Sequence, residues 1–386
     1  MFESVFIERV GDIDFPSFAT GRVEKNLEFF LRKLSQNILT NFKMHRNCKK
    51  YISLYAIFEY NQANFHIMLL YVEKNILTSP ITKQILGNFP HAQMLEIDHY
   101  KNIFDFPLAG KTQKSYIIAA VRNAILPAPD YGHAGAGYFL KNSLNCIYDC
   151  QYCYLKGAFK NDIPVFFVNY EDMQRQILEK CSLHDAKETI WFYSSDYSDN
   201  LATEKWTQFC THFIPFFDTL ERAKMEIRTK SVNIAPLLQL SPSRNIEIAF
   251  SLNPTEIIQK YELRTPQLDM RLRAINTLLD AGWQVGIRFI PLLEVENYQE
   301  IYTRFLEKIT QEIDFSRIAS VFIGGLLYTK KDYAKMLQKT PYLDILYSLH
   351  KGNDGFVREK PEVREWFYEL FDGYITQKEC QRCLES

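Results

Sequence analysis

The stretch Asn145-Cys146-Ile147-Tyr148-Asp149-Cys150-Gln151-Tyr152-Cys153-Tyr154-Leu155 puts three thiols into eight residues, with the spacing C-x3-C-x2-C. Thiolates are the soft ligands an iron–sulfur cluster takes, and a tight loop can aim three of them at one cubane. A [4Fe–4S] cluster has four irons. Cys146, Cys150 and Cys153 would therefore leave one iron without a protein ligand, the way catalytic metals keep a position open. The rival is zinc, which needs a fourth ligand close by. The next candidates, Cys181 and His184, fall inside or just past an expected helix.

Working outward from this loop, the pattern from Gly137 onward alternates strands with helices. Strands are expected at 137–144, 188–193, 224–229, 246–252, 284–290 and 318–326, and helices at 171–181, 203–220, 232–238, 268–281 and 298–313. Such an alternation argues for a parallel sheet with helical crossovers. Closed or partly closed, it is a barrel whose site lies at the C-terminal strand ends, where the cysteine loop falls. The expected fold is therefore α/β, a partial (β/α)6 TIM-like barrel over 131–330. It is preceded by an α+β extension over 1–69, with a helix near 23–42 and a strand pair near 50–60 and 64–72. A pre-barrel α/β segment covers 70–130, with strands near 93–97 and 115–121 and a linker at Pro127, Pro129 and Gly132. A helical, basic segment over 331–386 ends in Cys380-x-x-Cys383, which reads either as half of a metal or redox site or as a pair without a role. Cys48 reads as a thiol without a role. His133, ahead of Gly135-Ala136-Gly137, lacks the spacing and position of a phosphate loop.

Composition narrows the function classes. The 386 residues are 47% hydrophobic and 24% charged, which excludes a disordered, collagen-like or coiled-coil chain. Forty-five basic against forty-six acidic residues give a net charge of −1, so a polyanion would need a local patch. Lys330, Lys331, Lys335, Lys339, Lys351, Arg358, Lys360 and Arg364 form one, interrupted by Asp332, Asp344, Glu359 and Glu362. The N-terminal MFESVFIERVGDID has no apolar core of a signal peptide, and no stretch is long enough to span a bilayer. A cytoplasmic protein with reduced thiols, away from the membrane, is expected.

The cysteine spacing after a strand resembles the radical S-adenosylmethionine superfamily. That resemblance implies that the open iron chelates the amino and carboxylate groups of S-adenosylmethionine. One electron then cleaves it to methionine and a 5′-deoxyadenosyl radical. More of the chain is similar to the spore photoproduct lyase family of DNA-repair enzymes: Cys150-Gln151-Tyr152-Cys153-Tyr154-Leu155, then Phe167-Val168-Asn169 and Asp196-Tyr197-Ser198-Asp199-Asn200-Leu201-Ala202. Further matches are Thr229-Lys230, Phe250-Ser251-Leu252-Asn253-Pro254, and Tyr261-Glu262 with Thr265-Pro266 and Arg271. Upstream, Tyr71-Val72-Glu73 through His99-Tyr100 also match, so the likeness covers about residues 70–330.

The resemblance implies roles. The turn Ser194-Ser195-Asp196 would meet the methionine amino group, and Lys230 its carboxylate as a compact cation. Ser251 and Asn253 would hydrogen-bond the nucleoside or methionine part, and Tyr152 and Tyr154 would help bind S-adenosylmethionine and relay a hydrogen atom. A reducing protein such as a flavodoxin or ferredoxin would supply electrons, and the basic C-terminal region would contact DNA phosphates. The chain departs from the family in one place. The lyase carries a hydrogen-donating cysteine in the loop after the second barrel strand, and here residues 192–199 contain none. Tyr193 or Tyr197 would have to substitute. The reading is thus a radical S-adenosylmethionine lyase acting on damaged DNA. Two alternatives stay open: the same chemistry on RNA, a peptide or a metabolite, or a non-catalytic iron–sulfur or zinc protein that binds nucleic acid.

Overall fold

The computed structural model describes residues 68–105, 115–129 and 132–383. The helix expected near 23–42, the strand near 50–60 and Cys48 lie outside the described residues.

Eight strands form the central sheet: β1 (Ile125–Pro127), β2 (Ala136–Leu140), β3 (Ile190–Ser194), β4 (Ala223–Thr229), β5 (Ile246–Ser251), β6 (Gln284–Leu292), β7 (Ser320–Gly325) and β8 (Cys380–Arg382). They pair in chain order from β1 to β8. All pairings are parallel except β1 on β2. Among the described residues β8 does not pair back onto β1, so the sheet is a curled half-barrel. Crossover helices cover its outer face: Phe192 meets Phe217 with ring centroids 5.7 Å apart, and Phe289 meets Phe305 and Phe371 at 5.9 and 4.7 Å. Because side chains alternate along a strand, the neighbours of these residues point into the lumen. There Trp191, Tyr193, Glu226, Arg228, Glu247, Arg288 and Phe322 line the wall.

A second sheet carries the pre-barrel strands Gln93–Ile97, Leu69–Glu73 and Ser115–Ala119, then Val165–Phe167, all parallel, with Ser143–Leu144 antiparallel at its edge. Buried Glu73 holds two loops to it, accepting from the N–H groups of Tyr100 at 2.7 Å and Ala120 at 3.0 Å.

Three details differ from the expected pattern. The helix expected at 203–220 is two, Asn200–Thr207 and Phe209–Asp218, broken at Gln208 with φ 50°. The break lets buried Glu204 cap the second helix, accepting from the N–H groups of Cys210 at 2.7 Å and Thr211 at 3.0 Å. The helix expected at 232–238 shrinks to a 3-10 turn, Leu237–Gln239. Pro236 offers no N–H, and the Ser231 and Thr229 hydroxyls take the preceding N–H groups of Asn233 and Ser231. The tail cysteines belong to the barrel: Cys380 opens β8, paired with Val321.

Candidate active site at the carboxyl ends of the strands

The cysteine loop leaves β2 through Asn145, whose φ is 59° and whose side-chain amide donates to the carbonyls of Asn161 and Ile163 at 3.0 Å each. The loop is then fixed at both ends. Asp149–Cys150 pairs antiparallel with Glu262–Leu263, and Gln151 N–H donates to the Tyr261 carbonyl at 2.7 Å. On the far side the short helix Leu155–Ala158 packs so tightly on the Lys330–Lys339 helix that a Cβ on Gly157 would lie 2.8 Å from the Asp332 carbonyl oxygen. Lys335 donates to the Gly157 carbonyl at 2.9 Å, and Lys339 to the Phe159 carbonyl at 2.7 Å. These two lysines of the basic segment thus cap the helix that follows the cysteines. Burial raises all three thiols, Cys150 to about 12. Three sulfurs on one buttressed loop, with the intervening Asp149 carboxylate taken up by Lys156, suit iron–sulfur ligation.

Beside the loop lies a buried ionic network. Tyr152 donates its hydroxyl to Glu262, and Arg271 donates to the same carboxylate at 2.6 Å; both charged side chains are fully buried. Arg271 also donates to the Ser251 carbonyl at 2.9 Å, the Pro266 carbonyl at 3.0 Å and the Thr265 hydroxyl at 2.7 Å. Asn253 donates to Glu262 at 3.0 Å, and the Lys230 ammonium stands 3.9 Å away. Burial alone would raise the Glu262 carboxyl, yet Arg271, Lys230 and the Tyr152 hydroxyl hold it down at about 2. The Tyr152 carbonyl accepts from the Tyr328 hydroxyl at 2.5 Å, and the Lys230 ammonium is 5.8 Å from the Tyr152 ring.

The turn after β3 is organised by Asp199, which caps the Asn200–Thr207 helix by accepting from Ala202 N–H at 3.0 Å. It also accepts from the Thr229 hydroxyl and Lys230 N–H, both at 2.8 Å, and so ties the β3 and β4 ends together. Ser194 turns onto the sheet, donating to the Glu226 carbonyl at 3.1 Å. Ser195, at φ 75°, accepts from Asn200 N–H at 3.2 Å. Asp196 stays at the lumen mouth, 3.8 Å from the Arg228 guanidinium, and its carbonyl accepts from the Tyr154 hydroxyl at 2.8 Å.

The structure therefore gathers Tyr152, Lys230, Asn253 and the Ser251 carbonyl around Glu262, and Tyr154 with Asp196 across the mouth. Ser194 and Ser195 engage backbone groups, and both ends of the Asn253 amide are occupied, its oxygen 3.4 Å from the Tyr302 hydroxyl. Sequence reasoning gave no role to Glu262, Arg271 or Asp199, although all three lie within the matched motifs. It also missed the lumen floor. There Arg288 donates to Glu226 at 2.5 Å and Glu247 at 2.6 Å, and His133 stacks on Trp191 with ring centroids 3.7 Å apart. Ligand atoms of His133, Glu226 and Glu247 lie within 4.8 Å of one another, but the Arg288 guanidinium already supplies the positive charge between the carboxylates.

Comparison with known proteins agrees with this geometry. The family model for spore photoproduct lyase matches residues 65–340. Spore photoproduct lyase of Clostridium acetobutylicum is 25% identical over 329 residues, 79% of this chain and 95% of that protein. The Bacillus subtilis (strain 168) enzyme is 24% identical over 256 residues, 64% of this chain and 74% of that protein. A mutant spore photoproduct lyase solved with bound AdoMet and dinucleoside spore photoproduct superimposes with a TM-score of 0.71 at 18% identity. That match covers 82% of this chain and 99% of that one. The half-barrel and its matched motifs have one source: the chain belongs to the spore photoproduct lyase family of radical S-adenosylmethionine lyases.

Proposed function

We propose that this protein binds a [4Fe–4S] cluster on Cys146, Cys150 and Cys153, cleaves S-adenosylmethionine, and repairs a spore-photoproduct-type lesion in DNA. The observation that carries this reading is the three-thiol loop at the lumen mouth, buttressed by the Glu262 network. The bound cluster would supply the electron that splits S-adenosylmethionine into methionine and a 5′-deoxyadenosyl radical.

The chain's own residues position and screen. Lys230, held by Asp199 at its N–H and by Glu262 at its ammonium, offers a compact cation to the methionine carboxylate. Asp196 offers a carboxylate toward the amino group, and Ser195 and Ser251 line the same rim. Asn253 acts at one remove, orienting Glu262. Tyr152 is anchored on Glu262 and supports the loop. Tyr154, 39% exposed, lies where a phenol can pass a hydrogen atom between substrate and lumen. Lys330, Lys331, Lys351 and Lys360 remain for phosphate contacts, which would make DNA affinity salt-dependent. A flavodoxin- or ferredoxin-type protein would deliver the electrons. No helix among the described residues is long and apolar enough to cross a membrane; we place this chemistry in the cytoplasm.

The test is anaerobic. The protein is loaded with iron and sulfide, reduced, and given S-adenosylmethionine with dinucleoside spore photoproduct, and 5′-deoxyadenosine and repaired dithymidine are measured. Both should form, and both should vanish in Cys150→Ala. Deoxyadenosine without repair would transfer the reading to another substrate. A fully loaded protein that makes neither would overturn it.

A further inference from the structure

An electron bound for a cluster on Cys146, Cys150 and Cys153 has to cross the loop that carries them, and two faces of that loop are taken. Tyr152 is buried against Glu262, and the Tyr154 hydroxyl reaches the Asp196 carbonyl at the lumen mouth, where S-adenosylmethionine and the lesion would sit. Gln151, between Cys150 and Tyr152, belongs to neither contact. Its side-chain oxygen accepts from the Tyr342 hydroxyl at 3.4 Å, and Tyr342 is 73% exposed. The Tyr347 hydroxyl donates to the Pro341 carbonyl at 2.7 Å, which puts a second tyrosine, 63% exposed, beside the first. Exposed Leu263 borders the same loop through its pairing with Asp149.

Large side chains left in water to this extent, gathered around one loop, mark an interaction surface, and tyrosine suits the wet edge of one. The segment that presents them is fixed. Asp344 accepts from Lys260 at 2.6 Å and from the Tyr261 hydroxyl at 2.8 Å, and the Tyr261 carbonyl holds Gln151 N–H. Three lysines at the rim are compensated: Lys156 by Asp149, Lys260 by Asp344, and Lys335 by Asp332 at 3.6 Å. Exposed Lys160, Arg264 and Lys339 make no ion pair among the described residues, and the opposing carboxylate nearby is Asp162, which faces Lys339. The rim is therefore net positive, but its interleaved aspartates break it up too much for a run of phosphates.

We propose that this face, Tyr342, Tyr347 and Leu263 rimmed by Lys160, Arg264 and Lys339, is the docking surface for the electron donor, a small acidic carrier protein of the flavodoxin or ferredoxin type; the proposal rests on the cluster reading above. The three cations steer an acidic partner, which then seats on the tyrosines. One electron crosses Tyr342 and Gln151 to the loop between Cys150 and Cys153. The carrier's flavin hydroquinone or reduced iron–sulfur group is oxidised by one electron, the cluster is reduced by one, and no covalent bond forms or breaks. Entry from this side leaves the lumen mouth to S-adenosylmethionine and DNA, so reduction proceeds with both in place. Electron-transfer interfaces are small and transient, and one steered by exposed charges weakens as salt rises.

The experiment follows bleaching of the cluster absorbance in anaerobic stopped flow. The loaded full-length protein is mixed with a bacterial flavodoxin in its hydroquinone form, with a reduced bacterial ferredoxin, or with dithionite. The variants are Tyr342→Ser with Tyr347→Ser, Lys160→Glu with Arg264→Glu, and, as a control, Leu183→Ser at an exposed apolar residue just past the Tyr170–Ser182 helix. At least one carrier should reduce wild type and Leu183→Ser at a rate that falls as salt rises. Both double variants should lose at least about tenfold in the second-order rate constant for that carrier, while dithionite reduces all four proteins equally. A wild-type carrier rate in either double variant would overturn the proposal alone, as would failure of both carriers on a cluster that dithionite reduces. A tyrosine variant that keeps its carrier rate but loses affinity for damaged duplex DNA would overturn it too, and give the face to nucleic acid. A protein that assembles no cluster on the three cysteines would instead overturn the reading beneath it.

Discussion

Replacing Arg271 by methionine tests the network on which the cysteine loop leans. The guanidinium is fully buried and makes four hydrogen bonds, to Glu262 at 2.6 Å, Thr265 at 2.7 Å, Ser251 at 2.9 Å and Pro266 at 3.0 Å. Methionine fills much of the volume and supplies no donor. Glu262 would remain charged and buried, with Lys230 at 3.9 Å as its remaining cation. Breaking a buried ion pair from one side costs about 3–5 kcal/mol. For a chain of this size that corresponds to a melting temperature roughly 4–6 °C lower. Removing the charge as well, in Glu262→Gln with Arg271→Met, should restore at least about half of the loss, because the uncompensated carboxylate is gone. The assay is thermal melting of the cluster-free protein for wild type, both single variants and the double. A loss under about 1 kcal/mol for Arg271→Met, or a double variant no more stable than that single one, would refute the argument.

Three further outcomes are expected. Gly157→Ala should destabilise by roughly 1–3 kcal/mol and lower the iron bound per chain, since its Cβ would lie 2.8 Å from the Asp332 carbonyl oxygen; melting and iron analysis check this. Lys230→Met should weaken S-adenosylmethionine binding by at least about tenfold, measured by equilibrium dialysis, while iron content stays the same. Glu359 is buried and its carboxyl is raised to about 8 by that burial. Folded protein therefore binds more protons than unfolded, and the stability this contributes, full at pH below the ordinary glutamate range, falls as pH rises toward 8. Glu359→Gln should flatten that decline in urea titrations across pH 5 to 8.5; an unchanged slope would contradict the assignment.

Much of this architecture is legible from local pattern alone. The barrel strands are short segments with apolar residues at alternate positions or in runs, and the observed β4, Ala223–Thr229, and β5, Ile246–Ser251, lie within one residue of expectation. Where tertiary contacts decide, pattern fails. Nothing near Gln208 signals that Glu204 will cap a second helix, and the 232–238 segment carries apolar residues without forming a helix. Strand β8 is only three residues long and pairs across the gap from Val321, so its register is invisible in a tail rich in charge. The same holds for the site. Three cysteines at fixed spacing announce themselves, whereas Glu262 takes its meaning from Arg271, Lys230 and Tyr152 converging on it from separate parts of the chain. The lumen residues are harder still: Glu226, Glu247 and Arg288 look like surface charges in an alternating strand, and only the curl of the sheet turns that face inward.

The most direct measurement is electron paramagnetic resonance of the anaerobically loaded, reduced protein before and after S-adenosylmethionine is added. The account expects the signal of one reduced [4Fe–4S] cluster per chain, shifted by S-adenosylmethionine at the iron that no cysteine holds and absent in Cys146→Ala. A cluster signal indifferent to S-adenosylmethionine, or a loaded site independent of Cys146, Cys150 and Cys153, would contradict it.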